Sequence, residues 1–462
     1  MDDDRSFGEI HFGAAELGNR ARTRRLATLA SQLVQHPGGS LPHKLRSPAA
    51  LRAAYRLMNR EEVTHRTVLE SHCEETLRRI AAHAGPVLII CDGTELDYTT
   101  LTSLKDLGQI GNGGLRHGYI CQNSLAVDPQ TRRALGLVHQ QLHVRAHAPS
   151  GASKDNCRRR ASRESRLWPD GTRDLPGHRQ LIVVCDRGGD TFEELEHEHT
   201  SGRRLVVRAQ HNRRILAGHQ TPDRRQFLIS TARRQPAAGG FTLEVAATAG
   251  RPARQAQLSV SYAAVRLLAP VQARGDHSQE PLPLWVVRVW EANPPRSQSP
   301  LEWLLLTNEP VLSFTDARRV IGWYECRWII EEYHKALKTG CQIEDLQFAH
   351  ESRLEPMIAL LSVVALTLLN LRDASRHADA RREPASSLVD VEYVTALSLW
   401  RHRELRPAWT VHEFFLALAR LGGHQNRKHD EPPGWLVLWR GWSALQLLVA
   451  GAQGERQRQK VG

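Results

Sequence analysis

At 462 residues, 41% of them apolar, the chain has ample surface to bury in a core and room for about three domains. Its net charge of +12, carried mainly by arginine, favours a polyanionic partner, because a guanidinium matches phosphate geometry. Seven scattered cysteines without a CxxC pair or cysteine–histidine spacing leave out a disulfide framework and a zinc site, and the Met-Asp-Asp-Asp-Arg start with no long uncharged apolar run fits a reducing cytoplasm and no membrane.

Residues 1–70 read as helical. The 19–35 stretch carries Leu26, Leu29, Ala30 and Leu33 on one stripe, with Arg20, Arg22, Arg24 and Arg25 clustered at its start; a second helix over 48–59 follows the Gly38-Gly39 break. Basic residues in a first helical turn oppose the helix dipole unless an external anion compensates, and a DNA phosphate would do so. A solvated basic face is the other reading.

From 71 to 212 the chain alternates strands and short helical pieces. Residues 86–92 and 180–186 are continuous apolar or β-branched runs that each end in an aspartate, the pattern of buried strands with a charged residue at the C-terminal tip. Strands are expected at 119–127 and 134–144, joined by a turn at Asp128-Pro-Gln-Thr-Arg-Arg; after Asp186 come a short acidic helix and a strand at 204–210. Glycines 111–114 are no P-loop, since no Gly-Lys-Ser/Thr follows. Residues 213–300 turn to short strands (241–247, 257–268, 284–290) separated by Pro, Gly and Arg pairs, which reads as a β-rich insertion.

The 323–340 stretch reads as one helix. At about 100° per residue, Tyr324, Arg327, Glu331 and Lys338 share a face with Trp328, His334 and Lys335, while Cys326, Ile329, Ile330, Tyr333 and Leu337 form an apolar back. On spacing alone, a solvated face with one ion pair is an equal alternative. Glu331 together with Asp92 and Asp186 is the minimum set of carboxylates for holding two divalent metals in phosphoryl transfer. From 370 the chain is helical and Leu-rich, ending in a run where Trp435, Leu438, Trp439, Trp442, Leu445 and Leu448 fall near helical spacing; a partner surface and an internal core fit it equally.

The Tyr324, Arg327, Glu331 and Lys338 pattern resembles the Y-R-E-K signature of bacterial cut-and-paste transposases with a DDE triad, the insertion-sequence group typified by the transposon-five transposase. The likeness extends to Phe12-Gly-Ala-Ala-Glu-Leu-Gly, Asp92-Gly-Thr-Glu-Leu-Asp-Tyr, Val183-Val-Cys-Asp-Arg, Pro300-Leu-Glu-Trp-Leu-Leu-Leu-Thr-Asn-Glu-Pro and Ala419-Arg-Leu-Gly-Gly, nearly the whole chain. It implies an α/β fold: an RNase H-like catalytic core over 71–369 with the 213–300 insertion, an α-helical DNA-binding domain over 1–70, and an α-helical dimerisation domain over 370–462. It further implies a homodimer that binds the inverted-repeat ends of its element and then target DNA in a synaptic complex. Nicking, hairpin formation and strand transfer would use two Mg²⁺ per site, with Mn²⁺ as a substitute. Asp92, Asp186 and Glu331 would be catalytic metal ligands. Tyr324, Arg327, Lys338, Arg208 and the base-stacking Trp303 would bind DNA, as would Arg20, Arg22, Arg24, Arg25, Lys44 and Arg46. By the residues alone Trp303 fits the core better. Two departures stand out: Gly188-Gly189 where relatives often carry Glu and Ala, leaving room for a looser loop, and Cys121-Gln122-Asn123 where His-Ser is common. A catalytically silent DNA-binding regulator and an RNase H-like structure-selective nuclease are the alternatives.

Overall fold

The structure, a computed structural model, describes residues 5–35, 39–145, 163–217, 226–245, 253–270, 277–295, 300–376, 378–387, 389–406, 408–427, 430 and 432–461. Gly38 of the expected Gly-Gly break and residues 246–247 of one expected strand lie outside these.

The N-terminal region is helical: α1 (Phe7–Phe12), α2 (Arg20–Gln35), α3 (Leu41–Leu45), α4 (Pro48–Met58) and α5 (His65–Ala82). Local chemistry sets the boundaries. Ser6, Ser47 and Thr64 cap α1, α4 and α5 by accepting a backbone N–H, and Pro48 opens α4, where its missing donor costs nothing. The stripe Leu26, Leu29, Ala30 and Leu33 of α2 is buried, as its spacing demands.

A mixed sheet forms the centre. Strand β1 (Val87–Asp97) lies between β3 (Arg116–Val127), antiparallel, and β5 (Leu181–Cys185), parallel; β6 (Arg204–Arg208) runs parallel beyond β5. Both β2 (Gly108–Ile110) and β4 (Ala134–His143) pair with β3. The expected β-rich insertion at 213–300 supplies further strands. Its strands β7 (Arg214–Ala217), β8 (Gln226–Phe227), β9 (Gly239–Val245), β10 (Arg254–Leu267) and β11 (Leu282–Glu291) extend the same sheet through β12 (Glu302–Thr307), which pairs with β6. The reason is edge satisfaction: β6 would otherwise present unpaired backbone groups, and β12 covers them. Helix α6 (Phe192–Thr200) connects β5 to β6, and α7 (Leu228–Arg234) sits within the insertion.

Alternation along the strands feeds two cores. Leu88, Ile90, Ile182 and Val184 join one that runs from Leu26 and Leu29 of α2, through the sheet, to Ile330 and Tyr333 and on to Leu360 and Leu361. Val87, Ile89, Cys91, Val183 and Cys185 join the other, on the opposite face with Trp168 and Leu195. The N-terminal helices therefore have no core of their own. The expected domain limits at 70/71 and 369/370 fall inside α5 and inside α10 (Glu351–Arg376). Helix α10 is long and apolar enough to cross a membrane by composition, but 78% of its most apolar window is buried in this fold.

The expected helix over 323–340 is divided into α8 (Phe314–Glu325), α9 (Trp328–Lys335) and a terminal π-turn at Ala336–Gly340. Between α8 and α9, Cys326, Arg327, Ile329 and Ile330 donate to carbonyls three residues back, a tightened turn that breaks the 100° progression. Beyond α10, helices α11 (Val391–His402), α12 (Val411–Leu421) and α13 (Trp435–Val461) share a smaller core of Val394, Leu397, Phe414, Leu418, Leu438 and Leu445. Trp435 and Trp439 pack on the main core, and Trp442 stacks on Tyr393 at 5.1 Å. Leu448, with its neighbour Leu447, is exposed.

Candidate functional site

The parallel pairing of β1 with β5 ends at Cys91 opposite Cys185, so Asp92 and Asp186 follow it as neighbours on adjacent strands. Asp186 sits at a strand end as expected. Asp92 does not: β1 continues to Asp97 because β3 pairs with it over that whole length. Asp92 is thus the first residue past the end of its β5 partner, open on one side and held on the other. Arg327, in the turn before α9, donates to Asp92 Oδ2 at 3.2 Å and to Glu331 Oε1 at 2.5 Å, joining helix and strand. Gly93 N–H donates to Asp92 Oδ1 at 2.8 Å, and Gly188 N–H donates to Asp186 Oδ1 at 2.7 Å.

Burial, and then repulsion from Asp186, push the Asp92 carboxyl up to about 7, against the pull of Arg327. Both aspartates line one cleft of about 410 Å³ with Glu95, Gln122 and Trp168. Among the described residues no three His, Cys, Asp or Glu side chains stand ready to enclose a metal ion, and the Arg327 guanidinium bridges Asp92 and Glu331 instead. The donor chemistry nevertheless fits a hard divalent cation: carboxylate oxygens alone, with a repulsion between two of them that positive charge would relieve.

The remaining expected contacts divide. Tyr324 is buried, not on an open front: it lies on α8 in line with the buried Val320 and Ile321, and the tightened turn at 326–330 takes Glu331 out of that alignment; its hydroxyl has no hydrogen-bond partner among the described residues. Trp303, on β12, is half-buried with its ring 6.2 Å from that of Tyr324. Lys338, in the π-turn, pairs with Glu344 at 3.2 Å, and Arg208 donates to the Glu302 carbonyl. His334 is also buried, contrary to its expected place on the front. Its Nε2 accepts from Asn123 Nδ2 at 3.1 Å, and burial holds its ring neutral, with its pKa lowered to about 3.

In the N-terminal region, Arg20, Arg24 and Arg46 are exposed. Arg22 pairs with Glu62 at 2.6 Å, and Arg25 donates to the Ala50 carbonyl at 3.4 Å. Lys44 corrects its expectation outright. It is 1% exposed, and its ammonium donates to the carbonyls of Gly39 at 2.6 Å and Cys341 at 2.9 Å, so it cannot reach a ligand.

Sequence reasoning also missed the packing behind Asp186. A Cβ on Gly188 would stand 2.5 Å from the Trp168 ring, and one on Gly189 2.4 Å from Cys185 Cβ. Those glycines fit a tight turn capped by Asp186 and do not loosen the loop. The departure at 121–123 was the visible signal for Asn123, which Gln140 orients by donating to its Oδ1 at 2.7 Å.

Residues 4–63 match the family described as transposase DNA-binding. The match spans α1 to α4, and the exposed Arg20, Arg24 and Arg46 lie within it. At its N-terminal end the chain is therefore similar to the part of transposases that binds DNA.

Proposed function

We propose that the chain is a DDE transposase with an RNase H-like core. As a homodimer it binds the inverted-repeat ends of its element and carries out nicking, hairpin formation and strand transfer in the cytoplasm. The observation that carries this reading is the juxtaposition of Asp92 and Asp186, each the first residue past the β1–β5 pairing, with Glu331, tied to Asp92 through Arg327. A DNA-binding region similar to that of transposases, on the same chain, supports it.

Asp92, Asp186 and Glu331 would hold Mg²⁺, two ions per site or Mn²⁺ in their place, which when bound activate a nucleophilic oxygen and stabilise a leaving one. The protein's own groups supply position and charge. Because Arg327 spans Asp92 and Glu331, it keeps these carboxylates together before DNA arrives; its planar fork is equally suited to a phosphate. The Tyr324 hydroxyl beside it is buried and without a partner among the described residues, so it meets a phosphate oxygen only when DNA binding uncovers it, and Lys338 supplies a point charge. Trp303 offers a half-buried aromatic face to a base displaced from the duplex. Every step exchanges one oxygen for another at phosphorus, so one site serves water and a DNA 3′-OH alike.

The reading is tested with Glu331→Gln. The amide keeps the size and loses the charge, so binding of end DNA is expected to persist while nicking falls by roughly a thousandfold or more. Loss of end binding with unchanged nicking per bound complex would make Glu331 structural.

A further inference from the structure

Four residues just past the π-turn that follows the helix of Glu331 tie together three parts of the molecule. Cys341 takes the Lys44 ammonium on its carbonyl, and the Gln342 side chain accepts from Gly39 N–H. Both contacts come from the α3 end of the DNA-binding region. Ile343 accepts from the Tyr98 hydroxyl at 3.1 Å, and Glu344 accepts from the backbone N–H of Asp97 at 2.9 Å, contacts to the far end of the strand that carries Asp92. Glu344 also holds Lys338. Gln342 adopts a left-handed backbone (φ 49°), which a non-glycine residue keeps only when its surroundings over-determine it.

Lys44 is an unusual strut. A desolvated ammonium with only carbonyl partners is costly, and burial lowers its pKa to about 8 against the partial support of Cys341 and Asp345. The Cys341 carbonyl lies just past the end of the π-turn, where helix carbonyls are unsatisfied and a cation is favoured. A methionine or leucine would fill the same space without that cost. The exposed Arg46 lies two residues away, on the surface of the same segment.

We propose that Lys44 is a positioning residue: it fixes the Cys341–Asp345 turn against the DNA-binding region, so that the seating of end DNA on α2 to α4 sets the placement of Glu331 and Lys338. The inference rests on the transposase reading for its substrate and adds a route between end recognition and the carboxylate site. Lys44 touches neither DNA nor reacting atoms, and acts through the turn behind α9.

The test uses the full-length protein, Lys44→Met, and Gln342→Ala as a variant that breaks the neighbouring contact without removing a buried charge. A duplex of the terminal repeat flanking the coding sequence is titrated for affinity and then nicked in single turnover at saturation. Both variants are expected to keep wild-type affinity and to lose roughly tenfold to a hundredfold in saturated nicking rate, the scale of a small misplacement of reacting groups. Weaker binding at an unchanged saturated rate would overturn the proposal and return Lys44 to a binding role. Unchanged affinity and rate in both variants would overturn it as well. A second readout needs no cleavage: end DNA is expected to slow amide exchange over 336–345 in the wild type and not in Lys44→Met, and equal protection in both would refute the coupling. Wild-type nicking on the same gel checks the transposase reading separately.

Discussion

Replacing Asp92 with asparagine is expected to stabilise the protein, in a pH-dependent way. In the folded chain its carboxyl titrates at about 7, against an ordinary 3.8, mainly through burial and the nearness of Asp186. Between about pH 4 and 7 the folded state therefore binds a proton that the unfolded chain has released, so this group's contribution to stability declines as pH rises through that window and is flat above it. A displacement of about 3 units at about 1.4 kcal/mol each sets a ceiling near 4 kcal/mol on the strain relieved at pH 8. Asparagine still accepts from Arg327 through its amide oxygen, and the pull of Arg327 on the charged form is already included in that displacement. The expectation is a gain below that ceiling, about 1–3 kcal/mol at pH 8, or roughly 2–6 °C in Tm at about 2 °C per kcal/mol, shrinking toward zero near pH 4. Thermal unfolding of both proteins in EDTA, from pH 4 to 8.5, measures it. An Asp92→Asn variant less stable than wild type at pH 8, or a gap independent of pH, would refute the electrostatic account of the site.

Trp303→Ala is expected to leave first-strand nicking near wild type and to impair hairpin formation, by the loss of about 1–3 kcal/mol of base stacking; equal damage to both steps on a denaturing gel would assign the ring to the core it partly contacts. The double variant Arg20→Ala/Arg24→Ala removes two exposed cations without disturbing the buried stripe of α2. It is expected to weaken DNA binding across sequences and to flatten the slope of log K against log salt by about 0.9 for each phosphate no longer neutralised, and an unchanged slope would place the DNA elsewhere.

Much of the site was legible because its signals are local. Buried parallel strands read as continuous apolar runs, so the segments delivering Asp92 and Asp186 stood out, and the four-residue spacing of Arg327 and Glu331 fits one helical turn. What failed was non-local. The extension of β1 beyond Asp92 to Asp97 depends on pairing with β3. Tyr324 was misplaced because 100° arithmetic assumes an unbroken helix, and the i→i+3 bonds at 326–330 break it. Lys44 carries no local mark of burial: its partners lie at Gly39 and, 297 residues away, at Cys341. The same holds for Asn123 and His334, 211 residues apart.

Asp92, Asp186 and Glu331 are proposed as one phosphoryl-transfer site acting on the ends of an element. Its most direct test incubates the purified protein with Mg²⁺ and linear DNA carrying the flanking terminal repeats, resolved on a denaturing gel beside the Asp186→Ala variant. Nicked and hairpinned ends are expected in the wild type and neither in the variant. A stable shift of the DNA without any cleavage by the wild type, or cleavage that survives in Asp186→Ala, would contradict it.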